Sequence, residues 1–375
     1  MKIAVNTRLL LPNKLDGIGW FTYETLKRIT QQRPEVEFIF LFDRRYHPPY
    51  LFSENVRGVW AGPPSRHPFL WYIWFGNTVP RLLNHLKPDL FLSPDGYLPH
   101  FTHVPCVPVI HDLNFEHHPE DLPFWYRHYY RHFFPKYAKK ATRIATVSEY
   151  SKKDISERYG ISSELIDVVY NGISEDYHPI DSAEKEKARQ KYAGGKPYFL
   201  FIGSLHPRKN IARLIRAFDD FKKTQGSEEI QLVLAGRKKW WDQDMESAFQ
   251  SSPYKSEIHF VPGFEQSEAN TLVGGAELMV YPSTFEGFGV PPLEAMKAGV
   301  PVVVSNLTSM PEICGEAGFG IDPFNADSIT RGLHEVWNNS DLRNNLIARG
   351  LNRSKEFTWQ RSADLLWASV EKALS

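Results

Sequence analysis

Two glutamates, Glu286 and Glu294, stand with seven residues between them in the string FEGFGVPPLEAMKAG. Carboxylates accept hydrogen bonds from hydroxyl groups, so such a pair suits a ligand rich in hydroxyls, such as a sugar. Gly287 and Gly289 follow the first glutamate, and residues without a Cβ let the backbone approach a ligand closely. The spacing alone also fits an alternative in which Glu286 caps a helix and Glu294 is a solvated helix residue.

The elements around this pair place it at the edge of a sheet. Leu278–Tyr281 is a short apolar run that predicts a buried parallel strand, and Pro301–Val304 predicts the next one. Between them Val290–Lys297 predicts a helix, with two prolines in its first turn, where a missing N–H group costs nothing. The loop 284–289 is therefore expected at the carboxyl edge of the sheet, where α/β proteins bind ligands and a helix N-terminus favours phosphate.

A second segment, GSLHPRKN at 203–210, follows a predicted strand at Tyr198–Gly203 and precedes a predicted helix at Ala212–Phe221. It puts Arg208 and Lys209 at the helix start, where the helix dipole disfavours positive charge. A bound anion would account for these two cations. The alternative is that both side chains point into water.

Three candidates lie in the first half of the chain. Gly17 and Gly19 separate a predicted strand at Lys2–Asn6 from a predicted helix at Trp20–Thr30, which is a phosphate-binding arrangement or simply a tight turn. His111 is expected near the end of a buried strand at Val107–Asp112, where a structural His–Asp pair is the alternative to a binding role.

The string FEGFGVPPLEAMKAGVPVV resembles the Glu-x7-Glu signature of retaining nucleotide-sugar glycosyltransferases of the GT-B fold, the glycosyl transferases group 1 that include bacterial mannosyltransferases. The resemblance implies that Glu286 contacts the transferred sugar and that Glu294 binds the nucleotide ribose. It also implies that the amides of Gly287, Phe288 and Gly289 lie near the sugar and the diphosphate.

The same resemblance implies roles for the other segments. Lys209 matches a family lysine that binds the diphosphate beside Gly203. The usual arginine position holds Ser204 here, so Arg208 is the candidate for that role, which stays open. In the first half, the resemblance implies that Gly17 and Gly19 face the diphosphate and that His111 orients the sugar by hydrogen bonds.

Strands and helices alternate along the whole chain, which indicates parallel sheets covered on both faces. The charged segment Pro179–Pro197 predicts a short helix and a domain linker. We therefore expect an α/β protein with one domain at 1–178 and another at 179–357. The resemblance implies that the first is a Rossmann-like acceptor-binding domain and the second a Rossmann-like nucleotide-sugar-binding domain. The resemblance implies the GT-B arrangement, in which the two domains face each other across a cleft and a terminal helix at 358–375 crosses back to the first.

Composition narrows the class of protein. The 375 residues include 44 Lys and Arg and 44 Asp and Glu, so the net charge gives no indication that the protein binds nucleic acid. We expect a cytoplasmic protein for three reasons. The two cysteines are far apart and suggest no disulfide framework, no apolar run approaches the ~18 residues of a membrane span, and no signal-peptide pattern is found. A basic, aromatic helix predicted at Leu122–Ala138 leaves open peripheral contact with the inner face of the membrane; the alternative is a core helix with a solvated basic side.

Asp242 and Asp244 have the spacing of a metal motif found in a different glycosyltransferase fold, but here they precede a polar helical pattern, which predicts that Asp242 caps a helix. We expect no metal and no cofactor, because cationic side chains can neutralise a diphosphate.

The predicted activity is retaining transfer of a hexose, with mannose from GDP-mannose first in line, to a saccharide or lipid-linked saccharide. A UDP-sugar-dependent glucosyl- or N-acetylglucosaminyltransferase and a non-catalytic sugar-nucleotide-binding protein are the alternatives. A dehydrogenase is disfavoured because no full G-x-G-x-x-G stands at a first strand.

Overall fold

The computed structural model describes residues 1–12, 15–225 and 229–375, which form two compact units. Unit 1 comprises Met1–Gly172 together with Thr358–Ser375, and unit 2 comprises Ile173–Phe357. The units divide after Gly172, not after residue 178. The segment Pro179–Pro197 forms the predicted short helix, Ser182–Ala193, but it lies inside unit 2 and is therefore not a linker between the units.

Unit 1 is built on a parallel sheet whose strands carry mostly buried apolar side chains. The strands are β1 (Lys2–Asn6), β2 (Glu37–Phe42), β3 (Val56–Trp60), β4 (Leu90–Ser93), β5 (Cys106–Pro108), β6 (Ile144–Thr146) and β7 (Ile166–Val168). The order is β3-β2-β1-β4-β5, and β6 and β7 form a parallel pair joined to it by a bridge between Val109 and Ala145. One buried apolar cluster lies on each face of the sheet, which is why the strands show near-continuous apolar runs.

The helices of unit 1 cover both faces of its sheet. They are α1 (Gly17–Gln32), α2 (Pro68–Ile73), α3 (Val79–Leu86), α4 (Asn114–His117), α5 (Phe124–Lys140) and α6 (Glu149–Tyr159). A π-helical turn at Trp74–Thr78 separates α2 from α3. The sequence does not predict β3, because Arg57 and Gly58 interrupt its apolar pattern.

Unit 2 repeats the same plan with a six-stranded parallel sheet. Its strands are β8 (Tyr198–Ile202), β9 (Gln231–Ala235), β10 (Ile258–Val261), β11 (Leu278–Tyr281), β12 (Val302–Ser305) and β13 (Gly318–Ile321). Its helices are α7 (Ser182–Ala193), α8 (Ile211–Gln225), α9 (Gln243–Ser251), α10 (Gln266–Gly274), α11 (Val290–Lys297), α12 (Met310–Cys314), α13 (Ala326–Asn338) and α14 (Ser340–Ser354). The sheet order is β10-β9-β8-β11-β12-β13.

The strand order creates a switch point in each sheet. In unit 2 the chain leaves β8 towards β9 on one side and later returns to β11 on the other side. In unit 1, β1 lies in the same way between β2 and β4. Connections diverge at such a point, so the carboxyl ends of the two strands bound a crevice in which doubly wound sheets bind ligands.

The last helix, α15 (Trp359–Leu374), belongs to unit 1 although it ends the chain. Its apolar face, including Leu366 and Val370, joins the core that contains α1. Asp167 accepts hydrogen bonds from Ser369 (2.8 Å) and Lys372 (2.7 Å) of this helix. The predicted α/β class, with two parallel-sheet domains and a terminal helix that returns to the first, is confirmed.

Within the described residues, none of the helices has the length and apolar character needed to span a membrane.

Candidate active site

Backbone hydrogen bonds join the carboxyl end of β8 to that of β9, and that of β9 to that of β10, and the close approach of β8 and β9 requires glycine at 236. The Gly203 amide donates to the Ala235 carbonyl (2.9 Å), and the Gly236 amide donates to the Val261 carbonyl (2.8 Å). A Cβ atom on Gly236 would lie 1.7 Å from the Gly203 carbonyl oxygen. Sequence reasoning selected Gly203 but missed Gly236, although Gly236 follows a buried strand in the same way.

Arg208 and Lys209 lie in a single 3₁₀ turn, Pro207–Lys209, and not in the first turn of a helix as predicted. Asn210 follows with φ 63°, a left-handed conformation that Asn tolerates, and α8 begins only at Ile211. The Asn210 side-chain amide donates to the carbonyls of Pro282 (3.1 Å) and Pro323 (2.6 Å). The turn is thereby attached to the loops that follow β11 and β13.

The two cations share one carboxylate. The Lys209 ammonium contacts Glu286 Oε1, and the Arg208 guanidinium lies 3.1 Å from Glu286 Oε2. Arg208 also donates to the Phe285 carbonyl (3.0 Å). Glu286 is therefore a partner of both cations in this structure, whereas the sequence suggested that they face a bound anion or solvent.

The cluster is buried and its charges are unequal. Lys209 is 5 % exposed and Glu286 is 6 % exposed. Burial by itself would raise the pKa of Glu286, but Lys209 and Arg208 outweigh it and lower that pKa to about 2. Glu286 is thus ionised at neutral pH. The formal charges of Arg208, Lys209 and Glu286 sum to +1, which suits an anionic ligand.

The glycine loop after Glu286 is held from behind by Ser309. The Ser309 hydroxyl lies 3.0 Å from both the Glu286 and the Phe288 carbonyl oxygens, and the Glu286 amide donates to Thr308 (3.2 Å). Gly289 has φ 94°, and a Cβ atom there would lie 2.1 Å from Met310 Cε. Glycine at 289 therefore lets the loop turn into α11.

Glu294 lies in α11 and differs electrostatically from Glu286. Burial raises the pKa of Glu294 to about 7, and a hydrogen bond from Tyr177 lowers it only partly. The group therefore exchanges its proton near neutral pH, so a ligand that donates to the carboxylate would favour its ionised form. Sequence reasoning missed Tyr177, which precedes the first helix of unit 2 and carries no motif.

The other candidates lie in different parts of the chain. Gly17 and Gly19 form no separate turn, because α1 begins at Gly17 and Asp16 caps it by accepting from the Gly19 amide (2.9 Å).

His111 lies beyond β5, which ends at Pro108 and is shorter than predicted. The Nε2 atom of His111 donates to the Pro94 carbonyl (2.9 Å). Burial lowers the pKa of His111, so the ring is neutral. The structure thus brings Arg208, Lys209 and Glu286 together in unit 2, with Ser204 exposed next to Gly203, whereas Gly17, Gly19 and His111 belong to unit 1.

Unit 1 has a buried ion pair at its own switch point. The Arg8 guanidinium donates to Asp95 and lies 4.2 Å from the Tyr97 ring centroid. Asn6, at the end of β1, also donates to Asp95 (2.7 Å). Asp95 is buried, and its carboxylate accepts from both of these partners.

Asp242 caps α9 by accepting from the Met245 amide (2.8 Å), as predicted, and Asp244 pairs with Arg216. In the described part of the chain, no group of three His, Cys, Asp or Glu side chains is arranged to hold a metal ion.

Comparison with known proteins gives the family. The model of glycosyl transferases group 1 matches residues 182–353, and that of glycosyltransferase family 4 matches residues 15–177. O-antigen chain mannosyltransferase B of Escherichia coli is 32 % identical over 368 residues, which are 92 % of this chain and 93 % of that protein. The chain belongs to the glycosyl transferases group 1.

Two further comparisons place this glycosyltransferase among its relatives. The serotype-specific mannosyltransferase WbdA of Escherichia coli is 27 % identical over 276 residues, which cover 72 % of this chain but only 33 % of that protein. The crystal structure of Anabaena HepE in complex with UDP superposes with a TM-score of 0.76, covering 99 % of this chain and 100 % of HepE at 17 % identity. That likeness supports the GT-B fold.

We expect Gly236→Ala to lower the free energy of unfolding by about 3 kcal/mol or more, because the methyl group would collide with the Gly203 carbonyl and separate β8 from β9. Gly263→Ala is the matched control, since a Cβ atom there meets nothing within 4 Å. Denaturant unfolding of the glycosyltransferase measures both variants. Equal stability of the two would contradict the close approach of β8 and β9.

Proposed function

We propose that this glycosyltransferase moves a hexose from a nucleoside diphosphate sugar to a hydroxyl of a saccharide or lipid-linked saccharide, with retention of anomeric configuration, in the assembly of a cell-surface polysaccharide. Mannose from GDP-mannose is the first candidate. The observation that carries the proposal is the cluster of Arg208 with the buried Glu286 and Lys209, whose formal charges sum to +1, at the switch point of unit 2. Relatives named O-antigen and serotype-specific mannosyltransferases support mannose as the transferred sugar.

The proposed roles follow from charge. The ammonium of Lys209 and the guanidinium of Arg208 stabilise the diphosphate as the bond between the sugar C1 and the phosphate oxygen breaks. The acceptor oxygen then bonds to C1 from the same face and its proton goes to the leaving phosphate. Ionised Glu286 has acceptor capacity beyond its two cations, so it can accept from sugar hydroxyls. No metal is needed in this scheme, and the roles of His111, Gly17 and Gly19 stay predictions.

A UDP-sugar donor is the second candidate, because HepE was solved with UDP. GDP-mannose, UDP-glucose and UDP-N-acetylglucosamine should therefore be assayed side by side for transfer. A protein that binds one of these donors but neither transfers nor hydrolyses its sugar would be the non-catalytic alternative.

We expect Lys209→Ala to lower kcat about 100-fold with the preferred donor, because a preorganised charge on the leaving group acts mainly in the transition state. Lys223→Ala, on the exposed part of α8, is the matched control and should leave kcat unchanged. Arg208→Ala should match Lys209→Ala if Arg208 takes the role of the missing arginine at Ser204.

The same assay tests metal independence when it is run in EDTA. Turnover lost in EDTA and restored by Mn²⁺ would contradict the metal-free scheme. A folded Lys209→Ala variant with wild-type kcat would contradict the diphosphate site.

We expect Glu294→Ala to weaken binding of GDP about tenfold or more, since a ribose hydroxyl pair loses a charged acceptor. In the wild type, hydroxyl donors favour the ionised carboxylate, whose pKa in the free protein is about 7. GDP affinity should therefore fall as the pH drops from 8 to 6, because more of Glu294 is protonated.

Glu294→Gln is the control for that pH dependence. GDP itself gains a proton in this range, so the variant, which cannot ionise at 294, reports the contribution of the nucleotide alone. Calorimetric titration at several pH values measures both proteins. Identical pH dependence in the two would exclude Glu294 as the titrating ribose ligand.

We also propose that unit 1 contacts an anionic membrane surface through α5. This helix has no acidic residue, and it carries five Lys or Arg side chains, namely Arg127, Arg131, Lys136, Lys139 and Lys140. Phe124 and Trp125 at its start are 55 % and 65 % exposed, whereas Tyr129 and Tyr137 are buried in the core. One side of the helix thus packs into the core, and the other side exposes basic and aromatic groups.

Flotation with phosphatidylglycerol vesicles should recover the wild type, and Phe124→Ser with Trp125→Ser should abolish most of that binding. Phe324→Ser removes an equally exposed ring from unit 2 and should have no effect. Equal recovery with purely zwitterionic vesicles, or of the double variant, would contradict the contact.

A further inference from the structure

Tyr281 is the last residue of β11, and its side chain is buried between the two charged groups of the candidate site. It is 1 % exposed, and its ring stacks on Phe201 with centroids 5.7 Å apart and planes at 11°. A buried hydroxyl without a partner costs free energy, so its contacts must satisfy it. The apolar pattern of the strand explains the ring but not the hydroxyl.

The hydroxyl of Tyr281 contacts the lysine that pairs with Glu286. The Lys209 ammonium donates to Tyr281 Oη at 2.5 Å and also contacts Glu286 Oε1 directly. Burial raises the pKa of Tyr281 well above its ordinary value, and Glu286 raises it further, so the group is neutral. Tyr281 therefore holds the Lys209 ammonium beside Glu286 without adding a charge to the site.

A neutral partner matters because lysine is a point charge on a flexible stem. In this structure the ammonium is fixed by Glu286 and by Tyr281. A bound diphosphate would compete with Glu286 for the ammonium, since both are anions. The hydroxyl is not an anion, so it can keep its hydrogen bond to Lys209 while the ammonium turns towards the phosphate.

We propose that Tyr281 is a positioning residue of the donor site, which holds the Lys209 ammonium and the Glu286 carboxylate in the geometry needed for transfer. This inference rests on the proposed function, because it assigns the effect of Tyr281 to the role of Lys209 on the leaving diphosphate. Tyr281 itself acts through these two neighbours.

Tyr281→Phe tests the proposal, because it removes the hydroxyl and keeps the ring that stacks on Phe201. We expect kcat with the preferred donor to fall about 10- to 100-fold, as for loss of a hydrogen bond to a charged group, with KM for the donor changed less than threefold. Tyr198→Phe is the matched control. Tyr198 is equally buried, begins β8 at the opposite end of the sheet, and donates to the Leu272 carbonyl (2.6 Å).

The decisive measurement is a double-mutant cycle with Lys209→Ala. If Tyr281 acts through Lys209, adding Tyr281→Phe to Lys209→Ala should change kcat less than twofold, whereas independent effects would multiply. Multiplying effects, or a loss of kcat in Tyr198→Phe equal to that in Tyr281→Phe, would overturn the proposal.

The diphosphate site at Lys209 and the positioning role of Tyr281 can fail separately. A folded Lys209→Ala variant that keeps its kcat contradicts the proposed diphosphate site. A large effect of Lys209→Ala together with wild-type kcat in Tyr281→Phe contradicts only the positioning role. Thermal melting of each variant shows that a loss of kcat is not a loss of folded protein.

Discussion

The candidate site of unit 2 depends on the carboxylate of Glu286 being shared by two cations, the buried Lys209 and the partly exposed Arg208. Removing charged groups from water is costly, and an ion pair repays that cost only when its geometry is good and its remaining hydrogen bonds are made. Here Arg208, Lys209 and Tyr281 supply those partners. Three local features keep these charges in contact. They are the Pro207–Lys209 turn, the left-handed conformation of Asn210, and the hydrogen bond from Ser309 that holds the loop at Glu286.

The two units use the same topology for different electrostatic results. At the switch point of unit 1, Arg8 and Asp95 form a one-to-one pair enclosed by aromatic rings. At the switch point of unit 2, two cations meet one carboxylate, so positive charge remains. The first arrangement is electrically complete, whereas the second is suited to a phosphate-bearing donor such as a nucleotide sugar.

Glu286 and Glu294 have the same side chain, but their environments give them different pKa values. Burial opposes ionisation of both. Glu286 has two cations within contact and its pKa falls to about 2, whereas burial raises the pKa of Glu294 to about 7 and a hydrogen bond from Tyr177 lowers it only partly. A pair of carboxyls with separated pKa values can serve separate tasks. In the proposed function these tasks are a permanent negative charge beside the diphosphate and a titratable acceptor for the ribose.

The sequence by itself determined the α/β class, the strands β1, β2, β9, β10 and β11 to the residue, and the helix α11, because buried strands and proline-started helices are local patterns. It also indicated that Asp242 caps a helix, since capping is a contact within one turn. Only the tertiary structure decided which groups neutralise one another. Lys209 and Glu286 are 77 residues apart, and strand order alone brings β8 next to β11. The pairing of Arg8 with Asp95, the hydrogen bond from Lys209 to Tyr281 and the crowding at Gly236 are likewise long-range contacts, which no local spacing encodes.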